Sequence, residues 1–208
     1  MIGIIIQARM TSKRFPGKSM AYLAGKPVLA HVIERCKKVT LADKVVVAMP
    51  MDKKSEPMGD LCKELGVEPF YGPEKDVLTR YYLAATCFDL DPIMRITADC
   101  PFIDPIVCTE VLLLLQSAEL DYCSNVHPIR TYPKGLDCEA FTFDCLEAAH
   151  KLTRHMKHRE HVTPFMQRHH DIKRACVRQK FDMSNENWCV DYEEDINRLE
   201  GIINARPN

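Results

Sequence analysis

An α/β domain built on a mainly parallel sheet is the fold class this sequence predicts, and three observations predict it. An isoleucine-rich run, Ile2 to Gln7, reads as a strand buried on both faces. Up to about residue 125, short β-branched runs alternate with amphipathic stretches, the pattern of successive βαβ units. The first run empties into a loop carrying Arg9, Lys13, Arg14 and Lys18. That loop sits at a strand's carboxyl end, where open α/β sheets put ligands. A solvated basic connector is the competing reading of the loop taken alone.

The elements follow in order. After the turn at Gly25 to Pro27, a helix is predicted over about Val28 to Lys38, because Val28, Leu29, Val32, Ile33 and Cys36 share one face. Lys44 to Ala48 is a second strand. Gly66 stops a helix running from about Glu56 to Leu65, and Val67 to Tyr71 is a third strand. Asp76 to Phe88 reads as helix and Pro92 to Thr97 as strand. Pro105 then opens a buried helix through Leu112 to Leu115. After Tyr122 the regularity fades. TYPKGLDCEAFTF reads as a loop or hairpin entering a short strand, with a helix near Cys145 to Leu152 and a second near Arg159 to Arg168. Strands near Lys173 to Val177 and Trp188 to Val190 return to the sheet before a final helix, about Glu193 to Ala205. The expectation is one domain over 1–208, with an insertion at about 125–172.

Composition narrows the function classes. The 208 residues are 46% hydrophobic and 27% charged, with a net charge of −1, so there is no general pull toward nucleic acid. The average conceals a basic region: from His127 to Lys180, eleven Lys and Arg face six Asp and Glu, a local +5 against −6 elsewhere. Seven of the eight histidines lie there too. This suits a small anionic ligand better than a long polyanion. No apolar run reaches the ~18 residues of a membrane span, and the N-terminus lacks a signal peptide's basic leader, so a cytoplasmic protein without a membrane partner is expected. The ten cysteines show no CxxC spacing, and most are expected as reduced core thiols.

Two carboxylates stand out. Asp99 lies just past a strand end, and Asp191 follows Trp188 to Val190 and precedes Glu193, Glu194 and Asp195. Carboxylates from separate strand ends can converge on one hard cation such as Mg2+. Asp191 equally suits a helix N-cap, and Asp99 an Asx turn before Pro101. A magnesium nucleotide needs both cationic donors and oxygen ligands. Arg9 offers a planar fork for phosphate oxygens, Lys18 a compact charge, and Gly17 close backbone approach. GxxxxGK[ST] is missing and no GxGxxG follows the first strand, which excludes a P-loop enzyme and a dinucleotide dehydrogenase.

QARMTSKRFPGK, from Gln7, resembles the first motif of the sugar cytidylyltransferases. The likeness is strongest to the spore-coat polysaccharide biosynthesis protein F group, and extends to the 3-deoxy-manno-octulosonate and acylneuraminate cytidylyltransferases. GKPVLAHVIERC, DVLTRYYLAA, RITADCPFIDP, TYPKGLDCEAF, REHVTPF and WCVDYEEDI keep that group's order along the chain. The resemblance implies a three-layer, Rossmann-like, GT-A-like fold and a Mg2+-dependent enzyme that joins CTP to an acceptor. It implies that Arg9 and Lys18 hold the phosphates and that Met10, Ser12, Lys13 and Arg14 shape the loop. Backbone groups of Gln7 and Ala8 would read the cytosine, with Arg80 and Thr97 completing the nucleotide site and Asp99 and Asp191 holding the metal. Thr11 and Ala98 stand where relatives favour glycine. A homodimer is also implied.

The acceptor is expected to be a small anion, an acidic sugar or related compound for surface polysaccharide or glycan synthesis. Arg130, Lys134, Glu139, Arg154, Arg159, Glu160 and His161 are its candidate ligands, with His161 a candidate proton acceptor. Lys157 belongs to the same basic cluster. Taken singly, the basic members also suit solvent or a dimer interface. A phosphonate or polyol phosphate is the alternative acceptor, and a non-catalytic nucleotide-binding regulator the alternative class.

Overall fold

The computed structural model describes residues 1–205; residues 206–208, the end of the predicted domain, lie outside the described part. The buried isoleucines place β1 (Gly3–Gln7) at the centre of a seven-stranded sheet, beside β4 (Lys44–Pro50) and β6 (Ile93–Thr97). Its order is β5 (Glu68–Gly72), β4, β1, β6, β8 (Glu139–Phe141), β7 (Tyr122–Ser124), β9 (Arg174–Cys176). Only β8 runs against its neighbours. A two-stranded ribbon, β2 (Tyr22–Leu23) and β3 (Lys26–Pro27), precedes the first helix.

Alternation along β1 divides the core into two layers. Ile4 and Ile6 face α1 (Val28–Cys36), α2 (Glu56–Glu64), α4 (Pro105–Ser117) and α8 (Glu194–Ala205). Ile5 faces α3 (Val77–Cys87), α5 (Phe143–Leu152) and the Met166 face of α7 (Pro164–Arg168). The result is the three-layer α/β arrangement expected. Helix starts follow local chemistry: Asp76, Asp104 and Thr142 each accept a hydrogen bond from a first-turn backbone N–H of α3, α4 and α5. Gly66, at φ 64°, follows α2 as read from sequence.

Three local expectations are corrected. The helix expected over Arg159 to Arg168 is broken into α6 (Met156–His161) and α7. At the break Val162 adopts φ 67°, ψ −62°, and the Thr163 N–H bonds the His161 carbonyl at 2.8 Å, a γ-turn of the strained hand. Pro164 cannot donate into a continuing helix, so α7 starts afresh with proline in its first turn. Trp188 to Val190 is not a strand; a lone bridge joins Lys134 to Asn187, and the Trp188 N–H bonds the Lys134 carbonyl at 2.7 Å. Tyr122, after which the sequence pattern fades, begins β7, a strand that the pattern does not include. The 125–172 segment therefore supplies a strand to the middle of the sheet and three helices on the α3 side.

The ten cysteines are free thiols, and burial pushes Cys62, Cys123 and Cys145 up to about 12. Among the described residues no helix is long and apolar enough to cross a membrane.

Candidate active site

The carboxyl ends of β1 and β6 lie side by side, Gln7 against Thr97, and a cleft of about 530 Å³ opens above them. Both strands continue one step into it: the Ala98 N–H bonds the Gln7 carbonyl and the Ala8 N–H bonds the Ala48 carbonyl, each at 3.0 Å. The sheet thus uses two of the backbone groups expected to read a base. The Ala8 carbonyl has no hydrogen-bond partner among the described residues.

The basic loop is folded back over the cleft by its own backbone. Gly17, at φ 77°, donates to the Met10 carbonyl at 2.9 Å and starts a 3-10 turn at Lys18. Lys18 is turned inward, its side chain only 12% exposed. Its ammonium donates to Asp99 Oδ2 at 2.6 Å, the Val190 carbonyl at 2.8 Å and Asp191 Oδ1 at 3.1 Å. Burial works to lower the Lys18 pKa, but the two carboxylates hold it above its ordinary value. Burial likewise raises Asp99, and Lys18 outweighs it to leave that carboxyl below the usual range. Arg14 donates to Asp191 Oδ1 at 2.7 Å and lies over the Tyr192 ring.

Neither carboxylate serves the local role that competed with metal binding. Asp195, not Asp191, accepts the backbone N–H groups of Asp191 and Tyr192 ahead of α8, at 2.8 and 2.9 Å. Asp99 spends Oδ2 on Lys18. Two oxygens from separate segments that grip one ammonium are also within reach of one hard cation, so the donor set fits Mg2+. Close approach elsewhere supports this placement: a Cβ on Gly135, at φ 100°, would lie 2.7 Å from the Trp188 carbonyl carbon. The Val190 N–H bonds the Asp99 carbonyl at 2.9 Å, tying the two carboxylate segments together.

Gln7, Ala8, Arg9, Ser12, Lys13, Arg14, Lys18, Arg80, Thr97 and Asp99 all line the cleft. Met10 and Asp191 do not: Met10 packs against the core beneath the loop, and Asp191 joins the cleft only through Lys18 and Arg14. Arg80 is buried, donates to the Pro73 carbonyl at 2.7 Å, and leaves its Nε without a protein partner. Desolvation lowers its pKa to about 10.

Of the candidate acceptor ligands, only Glu160 and His161 reach the cleft, where Glu160 meets Arg9 at 3.4 Å. Arg159 is committed elsewhere, bonding Asp76, Thr79 and the carbonyls of His150 and Thr153 at 2.7–3.0 Å. Arg130 forms a two-pronged pair with Asp137 at 2.6 and 2.7 Å. Glu139 is buried against Arg95, and neither Lys134 nor Arg154 lines the cleft. Sequence reasoning missed Ser19 and Val77 as lining residues, and Thr11, whose hydroxyl donates to Glu74 at 2.6 Å across the rim. A helix N-terminus facing the β1 end was the available signal for Val77.

Comparison with known proteins bears on the family and the fold. The family model for cytidylyltransferases matches residues 3–198. An uncharacterised protein of Methanocaldococcus jannaschii is 39% identical over 162 residues, which cover 78% of this chain and 65% of that one. The spore coat polysaccharide biosynthesis protein SpsF of Bacillus subtilis is 26% identical over 206 residues, covering 95% of this chain and 84% of that one. The solved structure of a cytidylyltransferase from Leptospira borgpetersenii superposes with a TM-score of 0.93 at 30% identity, covering 100% of this chain and 88% of that one.

Proposed function

The chain belongs to the cytidylyltransferase family, and from that premise we propose that it transfers CMP from CTP to an acidic sugar or related anionic acceptor, releasing pyrophosphate. The observation that carries this reading is the Lys18 ammonium on the floor of a cationic cleft, gripped by both Asp99 and Asp191. Arg9, Lys13 and Arg14 surround it with the charge a triphosphate requires.

In the reaction, an acceptor oxygen attacks the α-phosphorus while the bond to the bridging oxygen breaks, and pyrophosphate leaves with the electron pair. The cationic side chains hold the triphosphate in line and stabilise the charge that shifts to the leaving group. Asp99 and Asp191 are the residues that would hold Mg2+, which neutralises phosphate charge when bound. His161, which lines the cleft beside Glu160, would take the acceptor's proton. The reading extends to a cytoplasmic homodimer serving surface polysaccharide or glycan synthesis.

The test is pyrophosphate release with each of the four nucleoside triphosphates against acidic sugars, phosphonates and polyol phosphates. Release with CTP and an acidic sugar supports the reading. Release only with a phosphonate or polyol phosphate replaces the acceptor, and CTP binding without release under any acceptor replaces the enzyme by a regulator.

A further inference from the structure

Beneath the cleft lies a buried ion pair that the phosphate chemistry does not use. Arg95 on β6 and Glu139 on β8 are register partners and form a salt bridge, with the Glu139 side chain only 4% exposed. Glu139 also accepts from the Tyr122 hydroxyl at 2.6 Å and from Gln167 Nε2 at 3.0 Å. Burying such a pair is costly, and an apolar pair of similar volume is often equally stable. Its link to the cleft is a single bond: Arg95 Nε donates to Gln7 Oε1 at 3.1 Å.

That bond decides which way the Gln7 carboxamide faces. A guanidinium can only donate, so the amide oxygen must face Arg95 and the amide NH2 must face away from it. Gln7 lines the cleft and is half-buried, and its NH2 has no hydrogen-bond partner among the described residues. The next residue's carbonyl, Ala8, is likewise unengaged. Consecutive residues of the cleft lining therefore offer two groups of opposite kind, a side-chain donor and a backbone acceptor.

We infer that the Gln7 side chain, aimed by the Arg95 and Glu139 pair, is the residue that selects cytosine over uracil. This rests on the cytidylyl transfer proposed above. Cytosine presents an amino donor at N4 beside an acceptor at N3; uracil presents an acceptor at O4 beside an N3–H donor. The Gln7 NH2 matches cytosine N3, and the Ala8 carbonyl matches the N4 amino group. Uracil in the same pose sets donor against donor and acceptor against acceptor, the kind of mismatch that separates ligands most strongly. Arg95 and Glu139 are positioning residues: they touch no nucleotide and act by fixing the amide.

The experiment is calorimetric titration of the wild-type chain, Gln7→Leu and Gln7→Glu with CTP, UTP and inorganic tripolyphosphate in Mg2+, with thermal unfolding of each protein as the fold control. Gln7→Leu should weaken CTP about tenfold, the worth of one good hydrogen bond, and narrow the CTP over UTP preference by a similar factor, leaving the part that the Ala8 carbonyl supplies. Gln7→Glu keeps one oxygen on Arg95 and turns an acceptor to the base, so the CTP to UTP ratio should fall below that of Gln7→Leu. Tripolyphosphate affinity should be unchanged in Gln7→Leu. A wild-type preference for CTP that survives undiminished in both variants overturns this inference alone. A wild-type chain that does not prefer CTP overturns the cytidylyl reading beneath it.

Discussion

The Lys18 ammonium donates to Asp99 Oδ2 at 2.6 Å, and the same nitrogen reaches Asp191 Oδ1 at 3.1 Å. One internal cation thus neutralises the pair of carboxylates that would receive a divalent ion. If these carboxylates hold the metal as proposed, metal and ammonium compete for the same oxygens when no nucleotide is bound. Lys18→Met should therefore bind Mg2+ or Mn2+ more tightly than wild type does. A cation at about 100 times its Kd stabilises by about 2.7 kcal/mol, which raises Tm by about 5 °C or more in a chain of this size. Thermal melts with and without Mg2+ check this: the variant should gain more than the wild type, and equal gains contradict the competition.

Acid should destabilise the fold through carboxylates held below their ordinary range. Burial alone would raise Glu139, but Arg95 and the Tyr122 hydroxyl pull it down; burial likewise raises Asp76, which Thr79 and Arg159 pull down. A depressed folded pKa contributes stability that is fully present above the unfolded value and is lost as pH falls through the folded one. For these carboxylates the loss should set in below about pH 4, seen as falling urea midpoints. Glu139→Gln leaves Arg95 buried without its counter-charge and should cost about 3–5 kcal/mol at neutral pH. The same variant should show a shallower acid limb.

Val162 carries backbone strain at the edge of the cleft. A β-branched residue at φ 67° costs about 1–3 kcal/mol, and the buried side chain pays part of it back through packing. Alanine removes the packing and keeps the strain, whereas glycine removes both. Val162→Gly should thus be more stable than Val162→Ala by about 1 kcal/mol, the reverse of the order in ordinary structure. Chemical denaturation of the two variants reads the difference directly. Relaxing the turn should also lower turnover, because Val162 directly follows His161.

What the sequence makes legible here is what local pattern encodes. The buried isoleucine run places Arg9 and Lys18 at a strand exit, and Asp99 follows the neighbouring strand for the same reason. Asp191 is legible from the acidic helix start beside it, but its support is not. That support is a lone bridge to Lys134 and the close approach of Gly135 to Trp188, more than fifty residues away in sequence, which no local periodicity carries. The basic region shows a different limit. Charge counting does not separate a free cation from a paired one, so Arg159 and Arg130 read as acceptor ligands although Asp76 and Asp137 hold them. Glu139 reads as a ligand for the same reason, because only the sheet register sets it opposite Arg95.

The account stands most directly on the two carboxylates that grip Lys18. Pyrophosphate release from CTP, measured with a productive acceptor for wild type, Asp99→Asn and Asp191→Asn, tests them. Each variant should lose on the order of 100-fold or more in turnover while its thermal midpoint shows that it folds. Turnover near the wild-type rate in either folded variant would contradict the assignment.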